Sequence, residues 1–249
     1  MKAMILAAGL GTRLRPLTND RPKALVEVAG HTLLEITLRR LRACGVTDVI
    51  VNTHHYAERM HDYLRSRDFG MRIEISHEEV LLDTGGGLKQ AAHFFLEPGS
   101  DPDEPFILHN VDVLSSIDLA GMMRFHAENK ALATLAVQDR ATSRYLLFDE
   151  KGYLCGRRAG LEGAMEFARP VEQFNALAFS GIHILSPRIF QEMAEEGVFS
   201  IIASYMRLAA RAEKIVSFRA GQFYWRDLGR PESILQAAQD VSDGKYVIA

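Results

Sequence analysis

The chain has 249 residues, a formal net charge of −3 and 24% charged residues. That length carries one large α/β domain or two small ones, and it buries a core without disulfides or a structural metal. The near-neutral balance excludes a basic field that gathers nucleic acid, so any anion the protein holds is held by a local site.

Two cysteines, Cys44 and Cys155, stand far apart and in no metal-ligand spacing, the pattern of two reduced thiols. The apolar run at the N-terminus is too short for a secretory leader, and it meets Gly9-Leu10-Gly11-Thr12-Arg13 instead of a cleavage site. No stretch approaches the roughly 20 apolar residues of a membrane span. The expectation is a cytoplasmic protein with no membrane partner.

In chain order, Met4–Ala8 is the first predicted strand. Leu33–Cys44 has helical spacing at Leu34, Ile36, Leu38 and Leu41 and stops at Gly45. Asp48–Asn52 is a β-branched run suited to a buried parallel strand. Ala57–Ser66 reads as helix, Arg72–Ser76 as strand, Leu88–Phe95 as helix after a glycine cluster, and Phe106–His109 as strand. Further on, Leu132–Val137 is a strand, and Tyr145–Asp149 and Tyr153–Gly156 flank the turn Glu150-Lys151-Gly152. Ala176–Leu185 is a long strand, Pro187–Glu195 and Ile201–Ala212 are helical, and a final helix runs from Pro231 to Val241. The β-α-β-α order of the first half predicts a Rossmann-like α/β/α sandwich of three layers around a mostly parallel mixed sheet. With no repeat or linker, one domain over residues 1–249 is expected. Residues 1–115 would form its nucleotide-binding half, and 116–249 would add strands as a cup over it.

A glycine-rich turn leaving a parallel strand lets backbone N–H groups approach a phosphate. Leu6, Ala8, Gly9, Gly11 and Thr12 are therefore nucleotide-binding candidates. The loop is not Walker A, and it is not the dinucleotide fingerprint, because position 14 is Leu and Pro16 soon follows. Arg13 offers a guanidinium fork for phosphate oxygens, and Lys23 offers a compact charge. In isolation the segment reads equally as a mobile surface loop. The whole run Leu6-Ala7-Ala8-Gly9-Leu10-Gly11-Thr12-Arg13-Leu14-Arg15-Pro16-Leu17-Thr18, followed by Arg21-Pro22-Lys23-Ala24-Leu25-Val26-Glu27, strongly resembles the signature of the sugar-phosphate nucleotidyltransferase family. That resemblance implies that the loop lies over the nucleotide, that Arg13 grips the leaving pyrophosphate and that Lys23 meets the α-phosphate.

Nucleotidyl transfer between anions calls for Mg2+, which takes one or two carboxylates and leaves its other positions to phosphate and water. Asp112 ends a predicted strand and Asp227 stands in Trp225-Arg226-Asp227-Leu228-Gly229. Each alone reads as a turn or cap. Both resemble the family's metal-binding segments, with Val111 standing where the family usually has glycine.

Asp83-Thr84-Gly85-Gly86-Gly87 resembles the base-recognition loop of the family's short members, so Gly85 and Gly86 are expected against a flat ligand. For the sugar, the family's Glu-Lys-Pro is missing, and Arg169 in Glu166-Phe167-Ala168-Arg169-Pro170 stands nearest to it. Asn110 and Gly181, the latter in Phe179-Ser180-Gly181-Ile182, complete the sugar-binding candidates, although Gly181 reads as well as tight strand packing. His54 and His55 have no third ligand at a sensible spacing and read as loop structure; Trp225 reads as packing.

The resemblance implies an enzyme that joins a nucleoside triphosphate to a sugar 1-phosphate with Mg2+ and releases pyrophosphate. The short chain, with no hexapeptide-repeat tail, points to the N-acetylmuramate-1-phosphate uridylyltransferase type, with UTP. Its rival is a GTP-dependent guanylyltransferase for mannose or heptose 1-phosphate. A cytidylyltransferase for a non-sugar phosphate such as phosphocholine and a non-catalytic nucleotide-binding regulator are the readings from other classes.

Overall fold

The computed structural model describes residues 1–160 and 162–248. The first strand, β1 (Lys2–Leu6), precedes two short strands, β2 (Glu27–Val28) and β3 (His31–Thr32), and the helix α1 (Leu33–Ala43). Then come β4 (Asp48–Thr53), α2 (Ala57–Arg65), β5 (Arg72–His77), α3 (Asp83–Gln90), α4 (Ala92–Phe95), β6 (Phe106–Asn110) and β7 (Val113–Ser115). The second half holds α5 (Leu119–Asn129), β8 (Ala133–Gln138), β9 (Arg144–Phe148), β10 (Leu154–Ala159), β11 (Met165–Phe167) and β12 (Asn175–Leu185). The chain closes with α6 (Ile189–Glu192), α7 (Ile201–Ala210), β13 (Ile215–Arg219), β14 (Trp225–Asp227) and α8 (Pro231–Ser242).

Strands β5, β4, β1 and β6 are neighbours in parallel, in that order. Their apolar runs are continuous because both faces are covered. Successive side chains alternate between two cores: Ala3 and Ile5 of β1 join one, Met4 the other. The first core lies under α1, α2, α5 and α8, the second under α3, α4, α6 and α7. This mixed sheet with helices on both faces is the three-layer architecture predicted from the sequence.

The long strand β12 joins the two halves of the chain in one sheet. Its C-terminal part pairs antiparallel with β6, and its N-terminal part with β9, while β8 follows on the other side. The register with β8 breaks between Phe179 and His183, where Gly181 has φ 75°. A bulge of this kind bends and twists the strand, and β9, β10 and β11 continue from the bent part.

Local signals explain the helix limits. Thr32 caps α1 by accepting the Glu35 N–H at 3.1 Å, and Gly45, at φ 85°, follows its end. Several predicted boundaries need correction, and the helix predicted over Pro187–Glu195 spans only Ile189–Glu192. The first strand begins two residues earlier than expected, which leaves Ala7 and Ala8 beyond its end. The helix predicted from Leu88 begins at Asp83 and contains the three glycines. Helix α5, capped by Asp118, and strand β13, parallel to β8, were not predicted.

Candidate active site

The carboxyl ends of β1, β4 and β6 open on one crevice, where open α/β sheets bind ligands. The turn after β1 is fixed from beside it. The Asn52 side-chain oxygen, at the end of β4, accepts the Ala7 N–H at 2.6 Å and the Ala8 N–H at 3.2 Å. Its amide donates to Glu78 Oε1 at 2.7 Å, and Glu78 Oε2 accepts the Leu82 N–H at 2.9 Å. One polar chain thus sets both the glycine-rich turn and the segment leading into α3.

Gly11 follows in a left-handed conformation, φ 63°, and a Cβ there would lie 3.1 Å from both Lys23 Cβ and Thr18 Cγ2. Thr18 Oγ1 donates to the Gly11 carbonyl at 2.9 Å. Only glycine fits both the backbone angle and the space. Thr12, Arg13 and Leu14 form a single 3-10 turn, not the helix that a dinucleotide loop opens into. The fold over this turn brings Lys23 into an ion pair with Asp112.

Asp112 lies between β6 and β7, and β14 pairs antiparallel with β7, setting Asp227 opposite Val113. The Leu228 N–H donates to the Asp112 carbonyl at 2.8 Å. The two aspartates, 115 residues apart in the chain, are therefore brought together. Asp227 Oδ1 accepts the Gly229 N–H at 2.8 Å, and a Cβ on Gly229 would sit 2.7 Å from that oxygen and 3.0 Å from Arg13 Nη2. Arg13 is exposed and stands beside the Asp227 loop. Two carboxylates and two cations of the sequence prediction share one end of the sheet.

Beside them is a cleft of about 400 Å³. Leu6, Ala8, Gly9, Lys23, Asn110 and Asp112 line it, together with Asn52, Glu78, Leu81, Asp83 and Val198. Asp83 takes a left-handed φ of 60°, an unusual conformation for a residue with a side chain. Asn110 Oδ1 is buried without a partner, and its Nδ2 lies against Gly181, where a Cβ would approach to 3.0 Å. Val113 Cγ2 would be 2.8 Å from the same Cβ, so tight packing and the positive φ both demand glycine at 181. Val111, in place of the family's usual glycine, buries its side chain in the core and gives its N–H to the Leu6 carbonyl.

Two predicted placements are corrected. Gly85 and Gly86 do not line the cleft. They lie inside α3, where Cβ atoms would come within 2.4 Å of the Phe199 ring and the Gly197 carbonyl oxygen, respectively, and both their N–H groups donate to the Phe199 carbonyl. Their smallness lets α3 pack on the loop before α7. Arg169 is not brought to the cleft either. It pairs with Asp149 at 2.6 Å in a separate hollow with Lys151, Tyr153 and Lys214. The Lys214 carbonyl accepts the Leu132 N–H just before β8, at the end of the sheet opposite Asn110.

The histidines act structurally. His54 bonds the Glu78 carbonyl at 2.9 Å, and the His55 ring packs on Tyr56 at 4.0 Å. Among the described residues no cluster of three or more His, Cys, Asp or Glu side chains forms a metal cage. His109, under the cleft, is held neutral by burial and by the nearby Arg40 charge, with its pKa near 3. Trp225 donates Nε1 to the Ser180 carbonyl at 2.8 Å, tying β14 to β12 as packing. Both cysteines are free thiols, and burial raises that of Cys155 to about 11.

Sequence reasoning missed Asn52, Glu78 and two arginines. Asn52 had a signal, a polar residue closing a buried strand. Arg140 stacks on Trp225 at 3.6 Å and donates to the Phe179 carbonyl at 2.9 Å. Arg158 lies 5.1 Å from the Tyr145 ring centre.

The geometry is that of a nucleotidyltransferase, and the chain belongs to the nucleotidyl transferase family, whose model matches residues 2–244. It is 36% identical over 247 residues to N-acetylmuramate alpha-1-phosphate uridylyltransferase of Caulobacter vibrioides, covering 94% of each. It is 31% identical to mannose-1-phosphate guanyltransferase of Yarrowia lipolytica, of whose length it spans 62%. Among solved structures, HddC from Yersinia pseudotuberculosis shares the fold with a TM-score of 0.75 and 22% identity, over 96% of this chain and 98% of that one. The inositol-1-phosphate CTP transferase from T. maritima aligns with a TM-score of 0.73 at 16% identity, over 98% of this chain and 96% of that one.

Proposed function

We propose that this chain joins UTP to an N-acetylmuramate-type sugar 1-phosphate, giving the uridine diphospho-sugar and pyrophosphate. The observation that carries the transfer chemistry is the convergence of Lys23, Asp112, Asp227 and Arg13 at one end of the sheet. The choice of UTP and of an N-acetylmuramate sugar is supported by the Caulobacter relative, matched over nearly its whole length.

The sugar-phosphate oxygen attacks the nucleotide α-phosphorus in line. A phosphate monoester with a second pKa near 6 is already largely ionised at neutral pH, so no general base is needed. Asp112 and Asp227 would hold Mg2+, and two carboxylates fit an ion that draws its other ligands from phosphate and water. When bound, the ion offsets the repulsion between triphosphate and sugar phosphate. Lys23, beside Asp112, neutralises charge at the reacting phosphate, and Arg13 stabilises the leaving pyrophosphate. Leu6, Ala8, Leu81 and Val198 offer an apolar slot for the base, next to the Ala7–Ala8 turn that Asn52 holds.

The similarity to mannose-1-phosphate guanyltransferases supports a second reading, GTP with a hexose 1-phosphate. Pyrophosphate release from a panel of four nucleoside triphosphates and several sugar 1-phosphates, with phosphocholine included, separates them. UTP with N-acetylmuramate 1-phosphate is expected to be the best pair. A best pair of GTP with mannose 1-phosphate overturns the reading in favour of the second, and nucleotide binding without turnover on any pair would mark a regulator.

A further inference from the structure

The bent part of β12 carries a row of side chains that leads away from the cleft. Ala178 stands opposite Tyr145 of β9, which stands opposite Arg158 of β10. Leu177 and Phe179 of β12, and Leu146 and Phe148 of β9, pack into or against the core under α7. By alternation, Ala178, Ser180 and Tyr145 face the other way. Arg157 packs beside α7 and pairs with Glu166, so its neighbour Arg158 also faces away from α7. This face begins at Gly181 and Ser180, next to Asn110 at the cleft.

One guanidinium group covers the Tyr145 ring, and a second stands at the Trp225 end of the row. Arg140 comes from the loop after β8, whose Thr142 N–H donates to the Tyr145 hydroxyl at 3.2 Å. It stacks on Trp225, two residues from Asp227 and on the same side of β14. It thus stands at the metal end. Arg158 reaches over the ring from the far side. Its backbone is two strand spacings from β12, or about 10 Å. Among the described residues, neither arginine has a carboxylate in ion-pair range, although the Asp227 charge favours the Arg140 cation from further off, and the Nε of each is buried without a hydrogen-bond partner. Elsewhere the half-buried arginines Arg169, Arg207 and Arg226 all pair with carboxylates. Ser180 Oγ on the same face is also buried without a partner. A half-buried cation without an anion is an incomplete site, because desolvation is offset only when an anion arrives.

We propose that Arg158 binds a carboxylate carried on the sugar ring, at the end of the substrate opposite the 1-phosphate, and so selects acidic sugar 1-phosphates over neutral ones. The inference rests on the proposed function and deepens it. N-acetylmuramate differs from N-acetylglucosamine by a lactyl ether that bears one carboxylate. Two half-buried cations separated along one face match a sugar with two anionic ends. Arg140 serves the phosphate end and Arg158 the carboxylate end.

The test compares kcat/KM with UTP for N-acetylmuramate 1-phosphate and N-acetylglucosamine 1-phosphate, in the full chain and in Arg158→Gln and Arg158→Lys. The parent is expected to favour the acidic sugar at least tenfold. Arg158→Gln should lose on the order of 10- to 100-fold on the acidic sugar, the worth of one charge-assisted contact, and stay within about twofold on the neutral one. Arg158→Lys should recover part of the loss. An equal loss on both sugars means that Arg158 holds the phosphate or the fold, and overturns the inference alone; no loss on either does the same. A parent that uses GTP and neither of these sugars overturns the functional reading instead, and the inference falls with it.

Discussion

Asn52 donates its side-chain amide to Glu78 at 2.7 Å, and Glu78 is fully buried with no ion-pair partner among the described residues. The pair sits between two segments that line the cleft, and the Asn52 oxygen is the acceptor for both Ala7 and Ala8. Asn52→Ala would orphan two backbone donors and one carboxylate oxygen. Each buried unsatisfied group costs about 1–3 kcal/mol, so a loss of at least about 3 kcal/mol is expected by urea unfolding. The KM for the nucleotide should rise more than tenfold as the turn after β1 loosens. A stable variant with unchanged KM would show that the turn holds without Asn52.

Gly87 and Gly9 should respond oppositely to alanine. A Cβ on Gly87 would sit 2.6 Å from Glu78 Oε1 and 2.9 Å from Asn52 Nδ2, whereas nothing lies within 4 Å of one on Gly9. Gly87→Ala is expected to lower stability by about 1–3 kcal/mol through overpacking. Gly9→Ala should leave the melting temperature unchanged and raise the KM for the nucleotide, which a thermal scan and steady-state kinetics separate.

Removing charge at the reacting end should damage turnover. Arg13→Ala and Lys23→Ala are each expected to lower kcat on the order of 100-fold, the worth of a single electrostatic donor. Asp112→Asn and Asp227→Asn should raise the Mg2+ concentration needed for half-maximal rate. An Arg13→Ala enzyme at parental rate would remove Arg13 from the mechanism.

Arg169→Ala should leave both kcat and KM unchanged. Its partner is Asp149 in a hollow apart from the cleft, and partly exposed pairs contribute less than about 1 kcal/mol. A raised KM for the sugar phosphate would return Arg169 to the site.

Acid should destabilise the protein before its carboxylates titrate. Burial holds His109 and His183 neutral with pKa values near 3, and His126 near 4, against 6.5 when unfolded. These folded-state values are depressed, so below pH 6.5 the unfolded chain binds more protons and stability falls as pH falls. Three such groups give a slope of up to about 4 kcal/mol per pH unit between pH 6 and 4. Denaturant midpoints measured across that range check it, and His183→Asn should flatten the slope.

The parallel half was legible because each strand and helix carries its own period, as in Asp48–Thr53 and Leu33–Ala43. Arg13, Lys23, Asp112 and Asp227 were legible as residue types in motifs, but their meeting depends on the pairing of β14 with β7, which no local pattern reports. Gly85 and Gly86 read as a ligand-facing loop because a glycine run suggests one, while the structure also needs small residues there, where a neighbour packs close on the helix. Arg169 stands nearest to the family's Glu-Lys-Pro pattern, and only the fold shows that it pairs with Asp149. Arg140 and Arg158 carried no pattern at all; only the bend of β12 brings their strands and loops to one face.

The pairing of Asp227 with Val113 also orders events in time. The first carboxylate is made before the middle of the chain, and the second almost last. A nascent chain can build β1, β4 and β6 and present Lys23, but one of the two carboxylates proposed to hold Mg2+ is still to be synthesised. Catalytic competence therefore arrives only when the C-terminal segment docks, and a chain truncated before residue 225 should be inert however well its parallel sheet has folded.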